Sequence, residues 1–437
     1  MGFHRAVLHT AAAAALAAAL TACGSGGDAD GPKGKDEASE AAGGDKSPVL
    51  KHYAAPLKFS TAKPIALPES GGSTDTGLGA AAQNTLPVTL HKGTAFIARP
   101  DGLEVASGHV ASDPVRITPE HGAVGKAGDT HSKAPFITSA GGKTVALSAL
   151  VTEVPGSGTS KGHDLVELMA TDTANATKPW FTEIPLSGGG EFSDGRTDAA
   201  VVGRSGDTVV VLGAGQLFGV DINTHKRVWT APGDTYATNA VVAGDRVVAV
   251  RGDGLGDKKV VGLNAATGRQ SWVSPRVTAQ MSSDGLYAIG PDTVMTFEYA
   301  TGTDNRHYLL DATDGSVRKM LPEGSPAMDC GYDGASVTVC TGDGLSGDGS
   351  VAAYDAKSGR QLWKLTHDSA DRIPPHVTLV RNGLLYGVTK NGPVVMDART
   401  GQDKEDAPGI APYASDGYVG LGIAKDDGRV TAYRATG

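Results

Sequence analysis

The sequence predicts an all-β fold, a β-propeller of eight four-stranded blades, and three observations predict it. A unit of apolar strand, Asp or Asn, tight turn and second strand recurs along the chain, most clearly over residues 351–363. Its anchors Asp172, Asp221, Asn264, Asp311, Asp355 and Asp397 are separated by 49, 43, 47, 44 and 42 residues, the length of a propeller blade. The chain has 4 Trp, and Trp180, Trp229, Trp272 and Trp363 each stand eight residues after an anchor. A helical repeat would need amphipathic runs of about ten residues or more, which do not occur between the anchors.

The unit has a direct physical reading. A short carboxylate or amide accepts hydrogen bonds from the turn backbone, and a Gly four residues on supplies a positive φ. Gly268, Gly315, Gly359 and Gly401 hold that place. A second strand then carries Trp inward. Two copies keep the turn and lose the aromatic, with Lys319 following Asp311 and Glu405 following Asp397.

Residues 57–67 have strand character and precede any complete repeat. The first repeat runs through 86–90, 94–98 and 102–108, with 115–117 as its outer strand; Glu104 and Gly108 echo the later Asp and Gly. The second begins near Phe136 and carries a polar insertion at 156–162 before its turn at Asp172. Later repeats pass through 208–212, 247–250, 286–289, 337–339 and 384–388. The chain stops at 430–437 with the signature lacking its last strand. An open sheet edge at a ring seam invites association, so the orphan strand within 57–67 is expected to pair as the outer strand of the last blade. Eight blades result; seven would result if the weak first repeat extended its neighbour.

In front of the ring, residues 1–22 read as an export signal, with His4 and Arg5 before an apolar segment too short for a comfortable span. Leu20, Thr21, Ala22 and Cys23 resemble the lipobox of bacterial lipoproteins, in which the Cys becomes lipidated. Residues 23–49 are Gly, Asp, Lys, Glu, Ala and Ser with little to bury, a polar tether. The propeller domain is then 50–437, held at the extracytoplasmic face of the cell membrane through lipid alone.

The repeats with Asp355, Gly359 and Trp363, and with Asn264, Gly268 and Trp272, resemble those of the PQQ-like, quinoprotein-type β-propellers. The resemblance covers about 86–437. It implies that each Trp docks on the turn of a neighbouring blade. The family contains dehydrogenases that bind pyrroloquinoline quinone and non-catalytic members of the BamB lipoprotein type. The Ala- and Gly-rich composition is similar to that of actinobacterial proteins.

The dehydrogenases of that family clamp the quinone against a disulfide between adjacent Cys residues. This chain has 3 Cys, at 23, 330 and 340, none adjacent. Cys330 and Cys340 either close a disulfide across a hairpin or point apart as thiols. Two Gly/Asp loops, around Asp253 and Asp257 and around Asp343 and Asp348, are either calcium-binding or plain hairpins. They lack the closing Glu of an EF-hand loop. The 12 His show no metal-ligand spacing, and no nucleophile elbow or phosphate loop is present. A net charge of -9 argues against nucleic acid. No catalytic residue, metal or cofactor is expected. The expectation is a monomeric, non-catalytic scaffold at the cell surface for a protein or envelope glycan. The alternatives are a small-molecule or glycan sensor and a quinone-dependent dehydrogenase.

Overall fold

The computed structural model describes residues 50–68, 86–124, 133–186, 198–232, 236–252, 258–279, 286–299, 305–321, 329–342, 349–369, 371–424 and 428–437. The expected signal segment, Cys23 and the tether lie outside the described residues, as do Asp253, Asp257, Asp343 and Asp348. Among the described residues no helix is long and apolar enough to cross a membrane.

Alternating apolar runs and Gly-containing turns fold the ring into eight antiparallel sheets. Blades 1 to 7 occupy residues 88–117, 122–185, 199–230, 236–279, 286–320, 329–365 and 376–405. Blade 8 takes its first three strands from 414–434 and its fourth, Ile65–Ala66, from the other end of the domain. There Ile65 pairs with Ala432 and Ala66 with Thr431, and Phe59 bridges Ala435. The orphan strand therefore closes the last blade, as the open edge required. First strands of successive blades touch one another, so they form the inner circle.

Blade 2 departs from the four-stranded pattern. Its second and third strands, Lys143–Val154 and His163–Asp172, run 12 and 10 residues, against 6 each in blade 3. Phe136–Ala140 pairs with one half of Lys143–Val154, and a fifth strand, Gly122–Ala123, pairs with the other half. The insertion at 156–162 is thus the exposed tip of a long hairpin.

Apolar side chains on each sheet face pack against the next blade, so the core is divided. Among the described residues it forms eight hydrophobic clusters, each spanning one joint between neighbouring blades. The ring holds together joint by joint.

A second repeated device was not visible in the sequence. In blades 3 to 7 the pairing of third and fourth strands slips by one residue just before the Trp position. In blade 3, Gly219 pairs with Trp229 while Val220 pairs with Arg227, leaving Val228 bulged and exposed. Such a bulge re-aims the next side chain and twists the outer edge away from β-sheet addition.

The first repeat is corrected by register. Thr94 pairs with Ser107 as Thr208 pairs with Asp221, so Ser107 holds the anchor position. Its Oγ accepts hydrogen bonds from the amides of His109 and Val110, at 3.4 and 3.2 Å. Glu104 lies mid-strand and pairs with Arg99 at 2.9 Å, because the two strands meet at the Arg99 turn.

Candidate functional site

The signature residues come together at the joints. Each anchor caps its own turn. Asp221 Oδ1 accepts from the amides of Asn223 and Thr224 at 3.0 and 2.7 Å, and Asp397 Oδ1 from those of Arg399 and Thr400 at 3.1 and 2.9 Å. Asn264, Asp355, Asp311 and Asp172 bind the amides of Thr267, Ser358, Thr313 and Ala174 in the same way, at 2.8–3.0 Å. The residue four places on bonds back to the anchor carbonyl and has a positive φ: 67° at Gly268, 73° at Gly315, 63° at Gly359 and 71° at Gly401. In the two copies lacking Gly, Ala176 and His225 take that conformation, at 54° and 58°.

Each Trp reaches across to the next blade. Trp229 Nε1 donates to the Ala265 carbonyl at 2.9 Å, Trp272 to that of Ala312 at 3.0 Å, and Trp363 to that of Ala398 at 2.9 Å. Their rings cover Gly268, Gly315 and Gly401, where a Cβ would lie 2.3–2.8 Å from the indole. Trp180 stacks on the His225 ring instead, with centroids 4.2 Å apart. At the joint between blades 5 and 6, Lys319 Nζ donates to the Gly359 carbonyl at 2.7 Å. Glu405 meets Lys58 of the closing segment at 3.1 Å. All four Trp therefore serve as wedges between blades.

These contacts shift the anchors' ionisation. The Thr224 amide and hydroxyl hold Asp221 below the usual carboxylate range, and the Ser358 pair does the same for Asp355. A hydrogen bond from Lys143 lowers Asp172. Glu167 goes the other way. It is fully buried in blade 2, and burial pushes its carboxyl up despite hydrogen bonds from the amides of Glu120 and His121.

The signs give opposite pH dependences. A depressed anchor stabilises the fold fully above the unfolded Asp value of about 3.9, and that stability is lost as pH falls through the folded value. A raised Glu167 favours the folded ring as pH falls through its folded value toward about 4.3. Melting temperature is therefore expected to drop below about pH 4, while at higher pH Glu167 opposes the loss from His307, whose imidazole burial holds low. Circular dichroism melts across pH check this, and Glu167→Gln should steepen the loss above about pH 4.5 while keeping the drop below it.

Cys330 and Cys340 stand directly opposite each other on Asp329–Tyr332 and Val337–Gly342 and are joined by a disulfide. At the base of the blade 2 hairpin a charged network straps residues 118–121 onto the sheet. Lys178 Nζ binds the Thr118 carbonyl at 3.0 Å and Glu120 at 2.5 Å, and His121 meets Glu183 at 2.9 Å. Among the described residues no group of His, Cys, Asp or Glu is placed to hold a metal ion.

The ring has two unlike faces. One carries the signature turns and the turns joining first and second strands, hydrogen-bonded to each other, as Ala265 N to Asp245 O at 3.0 Å. The domain's first described residues lie on this face, Leu50 against Gly93 and Tyr53 N bonded to Gly417 O at 2.9 Å. The blade 2 hairpin leaves from the opposite face. Its extra five or so residues per strand extend it by about 16 Å at ~3.3 Å per residue. Its tip at 155–164 is exposed throughout.

Residues 166–340 match the sequence family described as outer membrane protein assembly factor BamB. The resemblance expected from the blade signature is thus found over those residues. No curated protein matches the chain. Among solved structures, BamB from Moraxella catarrhalis is similar at 16% identity and a TM-score of 0.44, covering 88% of this chain and 100% of that one. The computationally designed Ika8 protein is similar at 16% identity and a TM-score of 0.48, covering 82% and 97%. The quinohemoprotein alcohol dehydrogenase ADHIIG from Pseudomonas putida HK5 is similar at 13% identity and a TM-score of 0.47, covering 89% and 78%.

Proposed function

We propose that this chain is an exported, lipid-anchored ring that serves as a non-catalytic protein-interaction platform in the cell envelope. The observation that carries the reading is how the signature residues are used. The indoles wedge the joints, and the anchor carboxylates cap turns, so the groups a quinone site would draw on already have structural tasks. The match of residues 166–340 to an assembly-factor family supports the same reading. The lipobox-like Leu20, Thr21, Ala22 and Cys23 support the anchor.

The proposed contact surface is the face bearing the blade 2 hairpin. Leu50 and Tyr53 pack on the other face, opposite the hairpin. A rigid scaffold presenting an exposed loop is the usual arrangement for recognition. The test is a pull-down from solubilised membranes with the full lipoprotein and with a variant in which 156–162 is shortened to a two-residue turn. Loss of the captured protein in the variant, with an unchanged melt, supports the reading. Quinone titration of the same protein is the control; saturable binding with dye-linked alcohol oxidation would overturn it.

A further inference from the structure

The joint between blades 5 and 6 is built differently from its neighbours. At the joints on either side, an indole lies over a turn glycine and fills the space between two rigid sheets. Here Lys319 takes the indole's place, and its thin methylene stem and the Leu309 side chain face Gly359 instead. A cavity of ≈ 10 Å³ remains, at the lower limit for one water molecule, about 10–15 Å³. Met295, Leu309 and Leu321 of blade 5 line it from one side, and Cys340, Tyr354 and Gly359 of blade 6 from the other. The disulfide lies in the same cluster, with Cys330 and Cys340 6% and 1% exposed.

We propose that Cys330–Cys340 is a redox-sensitive lock on this joint, reduced by an exported dithiol when the joint opens. The disulfide ties the short first strand of blade 6, Asp329–Tyr332, to the second beside this cavity. At the two flanking joints the indole supplies that cohesion. Opening this joint moves a lysine amine from a carbonyl into water, whereas opening its neighbours exposes an indole, so this joint opens at lower cost.

The exchange is balanced within the two dithiol pairs. One reductant thiolate attacks a protein sulfur, the second closes the reductant's own disulfide, and two electrons and two protons pass to Cys330 and Cys340. With both sulfurs buried, attack requires the joint to part. Closure therefore protects the bond, and reduction favours the open joint by the same coupling.

The experiment uses the full-length protein and dithiothreitol as the probe, with thiols trapped by alkylation and counted by mass. Without reductant, Cys330 and Cys340 should be unalkylated; free thiols there would overturn the proposal. Lys319→Trp, which puts an indole over Gly359 as at the flanking joints, should slow reduction about tenfold in native buffer and leave it unchanged in denaturant. Equal native rates would overturn it. Hydrogen exchange adds a second readout. Reduction should accelerate exchange about tenfold in Thr293–Tyr299 and Ser350–Asp355, with little change in Thr208–Gly213 of blade 3. A uniform change, or none, would sink the idea. Chemical reduction of the wild-type chain keeps the test open should Cys330→Ser with Cys340→Ser fail to fold.

Discussion

Trp229→Ala is expected to lower the free energy of unfolding by about 3–5 kcal/mol, the cost of emptying an indole-sized site in a core. Trp229 is only 7% exposed and lies between two glycines. A Cβ on Gly219 of its own blade would be 2.1 Å from the ring, and one on Gly268 of the next blade 2.6 Å from it. Neither neighbour has a side chain that could collapse into the space. The change also removes the donor to the Ala265 carbonyl, which adds an unsatisfied buried acceptor. Lys319→Ala, at the equivalent position, should cost much less, because a half-buried methylene stem leaves a far smaller volume than a buried indole. Urea titrations of both variants decide the matter. An unchanged midpoint for Trp229→Ala would mean that the indoles are not wedges.

Deleting residues 50–68 is expected to abolish a cooperative melt and to give an aggregating protein. The deletion removes Phe59 and Leu67, each 4% exposed, from the clusters on either side of blade 8. It strips the Pro56 carbonyl that accepts from the buried Tyr386 hydroxyl at 2.8 Å. It also uncovers the strand Val430–Arg434, an unprotected edge next to a hydrophobic face. Because the core is divided among joints, the two faces of blade 8 have no central core to fall back on. Size-exclusion chromatography and thermal melts test this; a truncated ring that stays monomeric and melts like the full chain would show that closure is not made here.

Much of the ring was legible because its unit is local. Asp355, Gly359 and Trp363 lie within nine residues, and turn capping, a positive φ and strand alternation act over that distance. The weak first repeat shows where local matching fails. Glu104 and Gly108 have the right spacing, yet the pairing of Thr94 with Ser107 makes a serine the cap. His225 was likewise hidden, since its ring serves as a platform for Trp180 only when two blades are brought together.

The sequence by itself determined the all-β class, the blade period, the capped turns and the need for a closing strand, since each follows from contacts between residues near one another in the chain. Only the tertiary structure decided that Ile65 lies beside Ala432, that blade 2 carries a fifth strand and a long hairpin, and that Cys340 walls a gap with Leu309 and Gly359. Those facts depend on which distant strands pair, in which register, and on the volume left between rigid sheets. Such quantities arise when blades meet, and no short stretch of sequence contains them.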